Sequence, residues 1–113
     1  MNCLANNQFM SKGLSQLLLL SIISKNTGLS GYLIVKKIKE LTENNISLKI
    51  GSIYPQLDQL EQNNFIVKEI ESVSDSTHMQ KAVYSISKLG LKELQRMVHD
   101  WSFFIKNISE LIN

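Results

Sequence analysis

The chain has 113 residues, of which 43% are hydrophobic and 19% charged, so its length and composition predict one ordinary globular domain. Its formal net charge is +2. Residues 1–60 hold six lysines against three acidic residues, and residues 61–113 hold six basic against seven acidic residues. This mild asymmetry is compatible with binding to a phosphate backbone without being diagnostic of it.

Cysteine usage and hydropathy exclude several classes of protein. Cys3 is the only cysteine, so no internal disulfide can form, and no Cys/His cluster predicts a metal or cofactor site. The intensely apolar run at residues 17–23 is much shorter than the about 20 residues that a membrane span needs. No basic segment precedes an apolar signal core at the start of the sequence. These features predict a cytoplasmic protein that does not associate with membranes.

The first part of the chain predicts a loose arm followed by a deeply buried helix. Residues 1–10 are rich in asparagine and show no regular periodicity. Residues 11–24 have too much leucine and isoleucine for a helix with a single buried face, so burial on more than one side is expected. The Asn-Thr-Gly sequence at residues 26–28 then indicates where this helix stops.

A second helix is predicted between a capping serine, Ser30, and the pair Asn44-Asn45. Its apolar spacing predicts four inward-facing side chains, which are Tyr32, Ile34, Ile38 and Leu41. Three lysines are expected to face outward: Lys36, Lys37 and Lys39. A short connection at residues 46–50 leads to a third helix, and this order is typical of a helix-turn-helix.

The third helix carries the strongest functional signal in the sequence. Ile53, Leu57 and Leu60 recur at helical spacing and predict a thin buried stripe. The opposite face is predicted to carry uncharged side chains that can hydrogen-bond to phosphates or base edges in a DNA major groove: Ser52, Tyr54, Gln56, Gln59 and Gln62. A merely solvated surface helix is the alternative. Pro55 fits near the helix start, where Ser47, Lys49 and Ser52 are the candidate caps.

A β-hairpin is predicted directly after the third helix. Residues 65–71 and 81–87 are rich in β-forming side chains, and a polar loop at residues 72–80 separates them. Such a hairpin is the wing of a winged helix, so the expected fold is mainly α with a two-stranded β-wing (α+β). The wing offers only His78 and Lys81 as basic contacts for DNA.

Ser87 is placed to cap a last helix that runs to about Ile112. Its apolar residues are spaced alternately by four and three positions, which is typical of a coiled-coil seam: Leu94, Val98, Trp101, Ile105, Ile108 and Ile112. A second apolar line runs beside this seam: Met97, Phe104 and Leu111. Such a helix spans roughly 37 Å, too long to be covered by its own domain. We therefore expect a homodimer through this helix, with a hairpin against the first helix as the alternative.

Three segments resemble the signature of the PadR family of bacterial winged-helix transcriptional repressors: SGYLI at 30–34, GSIYPQL at 51–57 followed by Leu60-Glu61, and YSISKLG at 84–90. The match runs from about residue 14 to the end of the chain. A single last helix resembles the compact subfamily of these regulators. The resemblance implies one structural unit, with a DNA-binding domain at residues 1–87 and a dimerisation helix at residues 88–113. It also implies an inverted-repeat operator, usually near the regulator's own promoter.

Trp101-Ser102 resembles the multidrug-binding members of that subfamily known from lactococci, in which the matching tryptophans flank a flat apolar ligand. The resemblance implies a planar aromatic ligand beside Trp101, in a site lined by Leu17, Ser21, Leu94, Met97, Val98 and Ile105. Ile105 stands where the drug-binding relatives have an acidic residue, so a neutral ligand is expected. The alternative is that Trp101 only fills the dimer interface.

The sequence therefore predicts a DNA-binding transcriptional repressor that acts as a homodimer. Ser52, Tyr54, Gln56 and Gln59 are expected in the major groove, and Lys36, Lys37 and Lys49 near phosphates. The modest charge and the lysine-poor wing leave one alternative, a winged-helix adaptor or antirepressor without strong DNA binding. No nucleophile–base–acid set and no Gly-rich phosphate loop is present, so an enzyme is not expected.

Overall fold

The computed structural model describes residues 12–72 and 80–113, which form four helices and three strands. The elements are α1 (Lys12–Lys25), β1 (Leu29–Ser30), α2 (Gly31–Leu41), α3 (Ile50–Gln62), β2 (Ile66–Ser72), β3 (Gln80–Ile86) and α4 (Lys88–Ile112). The strands form one antiparallel sheet in the order β1-β3-β2. The predicted winged-helix fold is confirmed. The arm at residues 1–10 and the wing residue His78 lie outside the described residues.

The sheet contains one strand that the sequence pattern does not predict. In β1, Leu29 pairs with Tyr84 and Ser30 with Val83. Two residues are too few to show an alternating pattern, so the sequence offers no periodic signal for this strand. The strand follows directly on Gly28, whose positive φ of 75° turns the chain between α1 and the sheet. The wing is therefore attached to the helical core at the start of α2.

The core lies where α1, α2 and α3 meet the sheet. Ten large side chains are almost fully buried there: Leu19, Leu20, Ile23, Ile34, Ile38, Ile53, Leu57, Leu60, Ile66 and Tyr84. Helix α1 buries residues on more than one side, as expected from its composition. The prediction that Tyr32 and Leu41 face inward is wrong, because these side chains are 63% and 67% exposed. Tyr32 lies two positions before buried Ile34 and so points away from it, and Leu41 is the last residue of α2.

The two ends of α3 differ: the first has no side-chain cap, and the second is fixed by backbone hydrogen bonds. The residue before the helix is Lys49, whose side chain makes no capping bond. Pro55 lies inside the helix, and the carbonyl that loses its partner belongs to exposed Gly51. At the other end, the Asn64 N–H donates to the Glu61 carbonyl and the Phe65 N–H to the Leu60 carbonyl. Asn64 has a φ of 65°, which completes a left-handed helix cap.

Helix α4 begins at a capped end on the core and continues well past it. The Ser87 hydroxyl accepts a hydrogen bond from the Gly90 N–H at 2.9 Å, as predicted for a cap. Its first half packs on α1, where Met97 is buried and Leu94 and Trp101 are half-buried. Past Trp101, six large apolar side chains stay exposed within the described part of the chain: Phe103, Phe104, Ile105, Ile108, Leu111 and Ile112. The molecule is consequently 61 Å long but only 20 Å thick.

Candidate nucleic-acid interface

Three apolar side chains hold α3 against the core and decide which of its sides remains open. Ile53, Leu57 and Leu60 are at most 1% exposed. The side directly opposite is exposed and is formed by Gly51, Pro55, Asp58 and Gln62. Tyr54 and Gln56 are two residues apart, so the helix turns them about 200° from each other. They therefore lie on opposite flanks of α3, and the helix carries a tyrosine flank and a glutamine flank.

The tyrosine flank faces the start of α2 and the wing. The Tyr54 ring packs on Gly31, where an added Cβ would lie 2.9 Å from the Tyr54 hydroxyl oxygen. Only glycine at position 31 leaves room for the ring in this place. A groove of about 550 Å³ opens beside it, lined by Ser30, Tyr32, Leu33, Tyr54, Gln80, Lys81 and Ala82. The structure thus brings together two of the predicted DNA contacts, Tyr54 and Lys81.

The electrostatics of this groove are mixed rather than strongly positive. In the hairpin register, Lys81 pairs with Glu71, and cross-strand partners have neighbouring side chains. On α3, Asp58 is exposed on the open side. Burial raises the pKa of the Tyr84 phenol, and the nearby Tyr54, Asp58 and Glu61 raise it further. Tyr84 on β3 therefore stays a neutral phenol. The carboxylates of Asp58 and Glu61 limit the attraction of this flank of α3 for phosphate.

The glutamine flank is partly engaged with the rest of the chain. The Gln16 Nε2 of α1 donates to the Gln59 Oε1 at 3.4 Å. The Gln56 Nε2 donates to the Ser52 carbonyl at 3.4 Å, and the Gln56 Oε1 is buried without a hydrogen-bond partner. Both distances exceed the usual 2.7–3.2 Å for such bonds. These amides are thus weakly held and can exchange their present partners for a base edge at modest cost.

The predicted phosphate-binding lysines are spread over the surface. Lys36 and Lys49 are exposed, and Lys37 is half-buried. Lys37 lines a depression with Lys25 and Glu40 near the end of α1, and it does not line the groove of Tyr54. Lys49 lies immediately before α3, and its carbonyl accepts from the Ser52 hydroxyl at 2.8 Å. Of the predicted cations that the structure describes, Lys81 lines the groove and Lys49 lies at the start of α3.

The residues predicted to surround a ligand are divided between α1 and open surface. Leu17 and Ser21 are half-buried on α1, and the Ser21 hydroxyl donates to the Leu17 carbonyl. Val98 and Ile105 are exposed. The Trp101 ring packs near Gly13 and stands edge-on to Phe104, with ring centres 5.8 Å apart. Asp100, Trp101 and Phe104 line an open depression of about 270 Å³.

The described residues contain neither a candidate metal site nor a candidate membrane span. In that part of the chain, no three His, Cys, Asp or Glu side chains are grouped closely enough to bind a metal ion. Among the helices of residues 12–72 and 80–113, none combines the length and hydropathy required to cross a bilayer.

Comparison with known proteins identifies the family of this arrangement. Residues 19–96 match the model of the transcriptional regulator PadR-like family, which is more than half of the chain. The chain belongs to the PadR-like family. Regulators of this family bind DNA and are not enzymes. The chain is thus a PadR-like transcriptional regulator.

Solved structures share this fold. A PadR-like transcriptional regulator from Bacillus cereus is 24% identical, with a TM-score of 0.72 over 90% of this chain and 94% of that one. A transcriptional regulator from Clostridium thermocellum has a TM-score of 0.79 at 22% identity, over 90% and 93% of the two chains. A protein from Thermoplasma acidophilum is 28% identical, with a TM-score of 0.74 over 89% and 92%. These likenesses cover about nine tenths of this chain.

One further similarity covers a smaller share of the matching proteins. The co-chaperone protein HscB of Buchnera aphidicola is 33% identical over 84 residues, which is 74% of this chain and 46% of HscB. The chain thus spans about half the length of these curated relatives. The PadR-like structures instead match over about nine tenths of both chains, and this chain has their fold.

The sequence pattern gives no functional signal for three residues beside the interface of this PadR-like chain. Gly31 makes room for Tyr54, Glu71 pairs with Lys81, and Asp58 lies on the open side of α3. The Glu71–Lys81 pairing depends on the register of the hairpin, which the sequence leaves undefined because its loop is long. Asp58 follows Tyr54 by four positions, so helical spacing alone places it on a neighbouring surface.

Proposed function

We propose that this PadR-like regulator is a sequence-specific repressor that acts as a homodimer on an inverted-repeat operator. The observation that carries the proposal is the presence, in one chain, of a polar-flanked α3 and an uncovered apolar end of α4. The first suits the major groove, and the second suits another copy of the same helix. In this proposal residues 1–87 bind DNA and residues 88–113 hold the two protomers together.

The exposure of the seam residues supports the dimer. Val98, Ile105, Ile108 and Ile112 are between 37% and 79% exposed, whereas Leu94 and Trp101 already have partial cover from α1. The partner helix would therefore cover α4 mainly from Val98 onward. Members of the family are typically dimeric. A two-fold dimer presents its two α3 helices to half-sites about 34 Å apart, which is why an inverted repeat is the expected target.

Repression follows from where such a dimer would sit. A dimer on an operator that overlaps a promoter excludes RNA polymerase from the same DNA, so no contact with polymerase is needed. The base-reading residues in this proposal are Ser52, Tyr54, Gln56 and Gln59, and the phosphate contacts are Lys36, Lys37, Lys49, His78 and Lys81. Lys81 has the best placement among the cations because it lines the same groove as Tyr54.

Ligand control is the second part of the proposal. We infer that a flat, neutral aromatic molecule stacks on Trp101 between the two protomers and releases the operator. The open depression beside Trp101 and Phe104 supports this, because it would face the partner helix. Asp100 also lines the depression, and its carboxylate is 2.6 Å from the Arg96 guanidinium, which also binds Glu93 at 2.7 Å. The preference for a neutral ligand therefore rests on Ile105, an apolar residue in the seam.

The DNA part is tested by footprinting the full chain on the DNA upstream of its own gene. Protection of two half-sites about one helical turn apart is expected, with an affinity that falls steeply as salt is raised. The position of Glu71 opposite Lys81 in the hairpin register and the exposed Asp58 favour one alternative, an adaptor or antirepressor without strong DNA binding. Absence of any salt-dependent complex with upstream DNA would favour that alternative.

The ligand part is tested through the fluorescence of Trp101, which is the only tryptophan. Titration with planar dyes and aromatic antibiotics should quench it saturably in the low micromolar range and weaken operator binding in parallel. Quenching that leaves DNA affinity unchanged, or no quenching by any compound, would make Trp101 a packing residue alone.

A further inference from the structure

The end of α3 and the start of α4 meet at one contact, which we call the α3–α4 joint: Asn64, Phe65, Ser87 and Gly90. The Ser87 hydroxyl donates to the Asn64 carbonyl at 2.6 Å and accepts from the Gly90 N–H at 2.9 Å. The Ser87 N–H donates to the Phe65 carbonyl at 3.0 Å. One serine thus binds the turn after α3 twice and the first turn of α4 once.

The two sides of the joint approach each other so closely that position 90 has no room for a side chain. A Cβ on Gly90 would overlap the Phe65 carbonyl oxygen and lie 2.8 Å from the Ile86 Cγ1. Gly90 is buried. Direct contact between backbones leaves little freedom for one helix to tilt on the other, in contrast to contacts through long side chains.

The α3 side of the joint is equally well defined. The Phe65 N–H donates to the Leu60 carbonyl at 3.0 Å and the Asn64 N–H to the Glu61 carbonyl at 2.9 Å. These bonds belong to the cap that ends α3, and the carbonyls of the same two residues accept from Ser87. Hydrogen bonds therefore run without a break from the last turn of α3 to the first turn of α4.

We propose that Ser87 and Gly90 set the half-site spacing that this regulator accepts, by fixing the angle between α3 and α4. The inference rests on the proposed homodimer, in which α4 defines the two-fold axis and α3 reads a half-site. Helix α3 has 13 residues and is about 20 Å long. A rotation of about 10° at the joint moves its far end by about 3.5 Å, close to the ~3.4 Å rise of one base pair.

Ser87 is a positioning residue in this proposal, because it acts through the joint. Its plain alternative role is to cap α4, and two substitutions separate the roles. Ser87→Thr keeps a hydroxyl that both donates and accepts. Ser87→Asp keeps an acceptor for the Gly90 N–H, and Asp caps helices about as well as Ser. An ionised carboxylate has no proton to donate to the Asn64 carbonyl, so the side-chain bond across the joint is lost while the backbone bond to the Phe65 carbonyl remains.

The experiment uses the full chain and an operator selected by the parent protein from random duplex DNA. The selected inverted repeat is rebuilt with its spacer shortened or lengthened by one and two base pairs, and a single half-site duplex is the reference. For the parent and for Ser87→Thr, each spacer change should weaken binding about tenfold or more, because one of the two α3 helices is no longer aligned with the major groove of its half-site. For Ser87→Asp, the spacers should differ by about threefold or less, with half-site affinity and dimerisation unchanged.

The outcomes distinguish this inference from the proposed function. If the parent selects no inverted repeat, the homodimeric repressor itself is wrong. If the parent selects one and Ser87→Asp keeps the parent's sharp spacing preference, the joint does not set the spacing. If Ser87→Asp does not fold, Ser87→Ala is used instead and is compared with Ser30→Ala. Ser30→Ala removes the corresponding cap of α2, which is the hydrogen bond from the Leu33 N–H to the Ser30 hydroxyl. Ser30→Ala should weaken all spacers alike, and the inference fails if Ser87→Ala does the same.

Discussion

Helices α3 and α4 both carry a regular apolar stripe, but the described chain covers only one of them completely. The stripe of α3 is at most 1% exposed. On α4, Met97 is 8% exposed and Leu111 is 86% exposed. The exposed surface of α3 is mostly polar, whereas α4 exposes six large apolar side chains past Trp101. A polar surface is stable in water or in a DNA groove, whereas an apolar surface of this size calls for another protein surface.

The difference follows from length. Helix α3 has 13 residues and lies across a core formed by two other helices and the sheet. Helix α4 has 25 residues, about 37 Å, whereas α1 has 14, about 21 Å. Within the described residues, α1 therefore covers α4 only as far as Trp101. Periodicity reveals an apolar stripe in each helix, but only the neighbouring elements decide whether it is buried.

The largest expected effect comes from a charge in the open part of α4. Ile105→Asp would place two carboxylates in an apolar contact between protomers, and like charges there cost several kcal/mol. The dimer dissociation constant should rise about 100-fold or more, and operator binding should fall with it. Analytical ultracentrifugation at micromolar concentration measures this. Phe103→Asp is the matched control, because Phe103 is exposed on the opposite, polar side of α4 and should leave the dimer intact.

The buried stripe of α3 should respond differently from the open stripe of α4. Leu57→Ala should lower the free energy of unfolding by about 2–5 kcal/mol, because a fully buried side chain is removed and a cavity remains. Leu111→Ala should change it by less than about 0.5 kcal/mol. Urea denaturation in the Ile105→Asp background measures both without a contribution from assembly. Equal effects of the two substitutions would contradict the division between the helices.

The polar flanks of α3 should contribute to DNA binding and little to stability. Tyr54→Ala and Gln56→Ala should each weaken operator binding by about 1–3 kcal/mol and relax the preference at particular base pairs. Competition between operator variants measures this. Parent-like affinity after Tyr54→Ala would remove Tyr54 from the interface.

Gly31 should act on DNA only through Tyr54. Gly31→Ala places a Cβ 2.9 Å from the Tyr54 hydroxyl oxygen, so the ring must move and operator binding should weaken by about 1 kcal/mol. In a Tyr54→Ala background the same substitution should have almost no further effect, and the double-mutant cycle measures this coupling. Additive effects would show that Gly31 contributes to binding on its own.

The smallest expected effect concerns Lys81 in the groove of Tyr54. If Lys81 contacts one phosphate, Lys81→Ala should reduce the slope of log affinity against log salt by about 0.9 and weaken all sequences alike. Lys106→Ala, an exposed lysine on α4, is the control with no change in slope. An unchanged slope for Lys81→Ala would mean that Glu71 keeps this lysine away from the DNA.

Much of the fold could be predicted because its elements have strong local signals. Ser30 and Ser87 cap α2 and α4 as expected, and Ile53, Leu57 and Leu60 are all buried. The prediction fails for Tyr32, whose spacing of two from Ile34 already turns it away from the core, and for Leu41, which lies where α2 ends. The strand β1 is too short for any pattern to reveal it.

The sequence by itself determined the order of elements, the caps and the apolar stripes, because these depend on residues close together in the chain. Tertiary structure decided that Gly31 makes room for Tyr54 and that Lys81 lies opposite Glu71 in the hairpin. It also decided that Ser87 ties α4 to the end of α3. Each of these contacts joins residues whose distance along the chain, or whose register, is set only when the whole core packs.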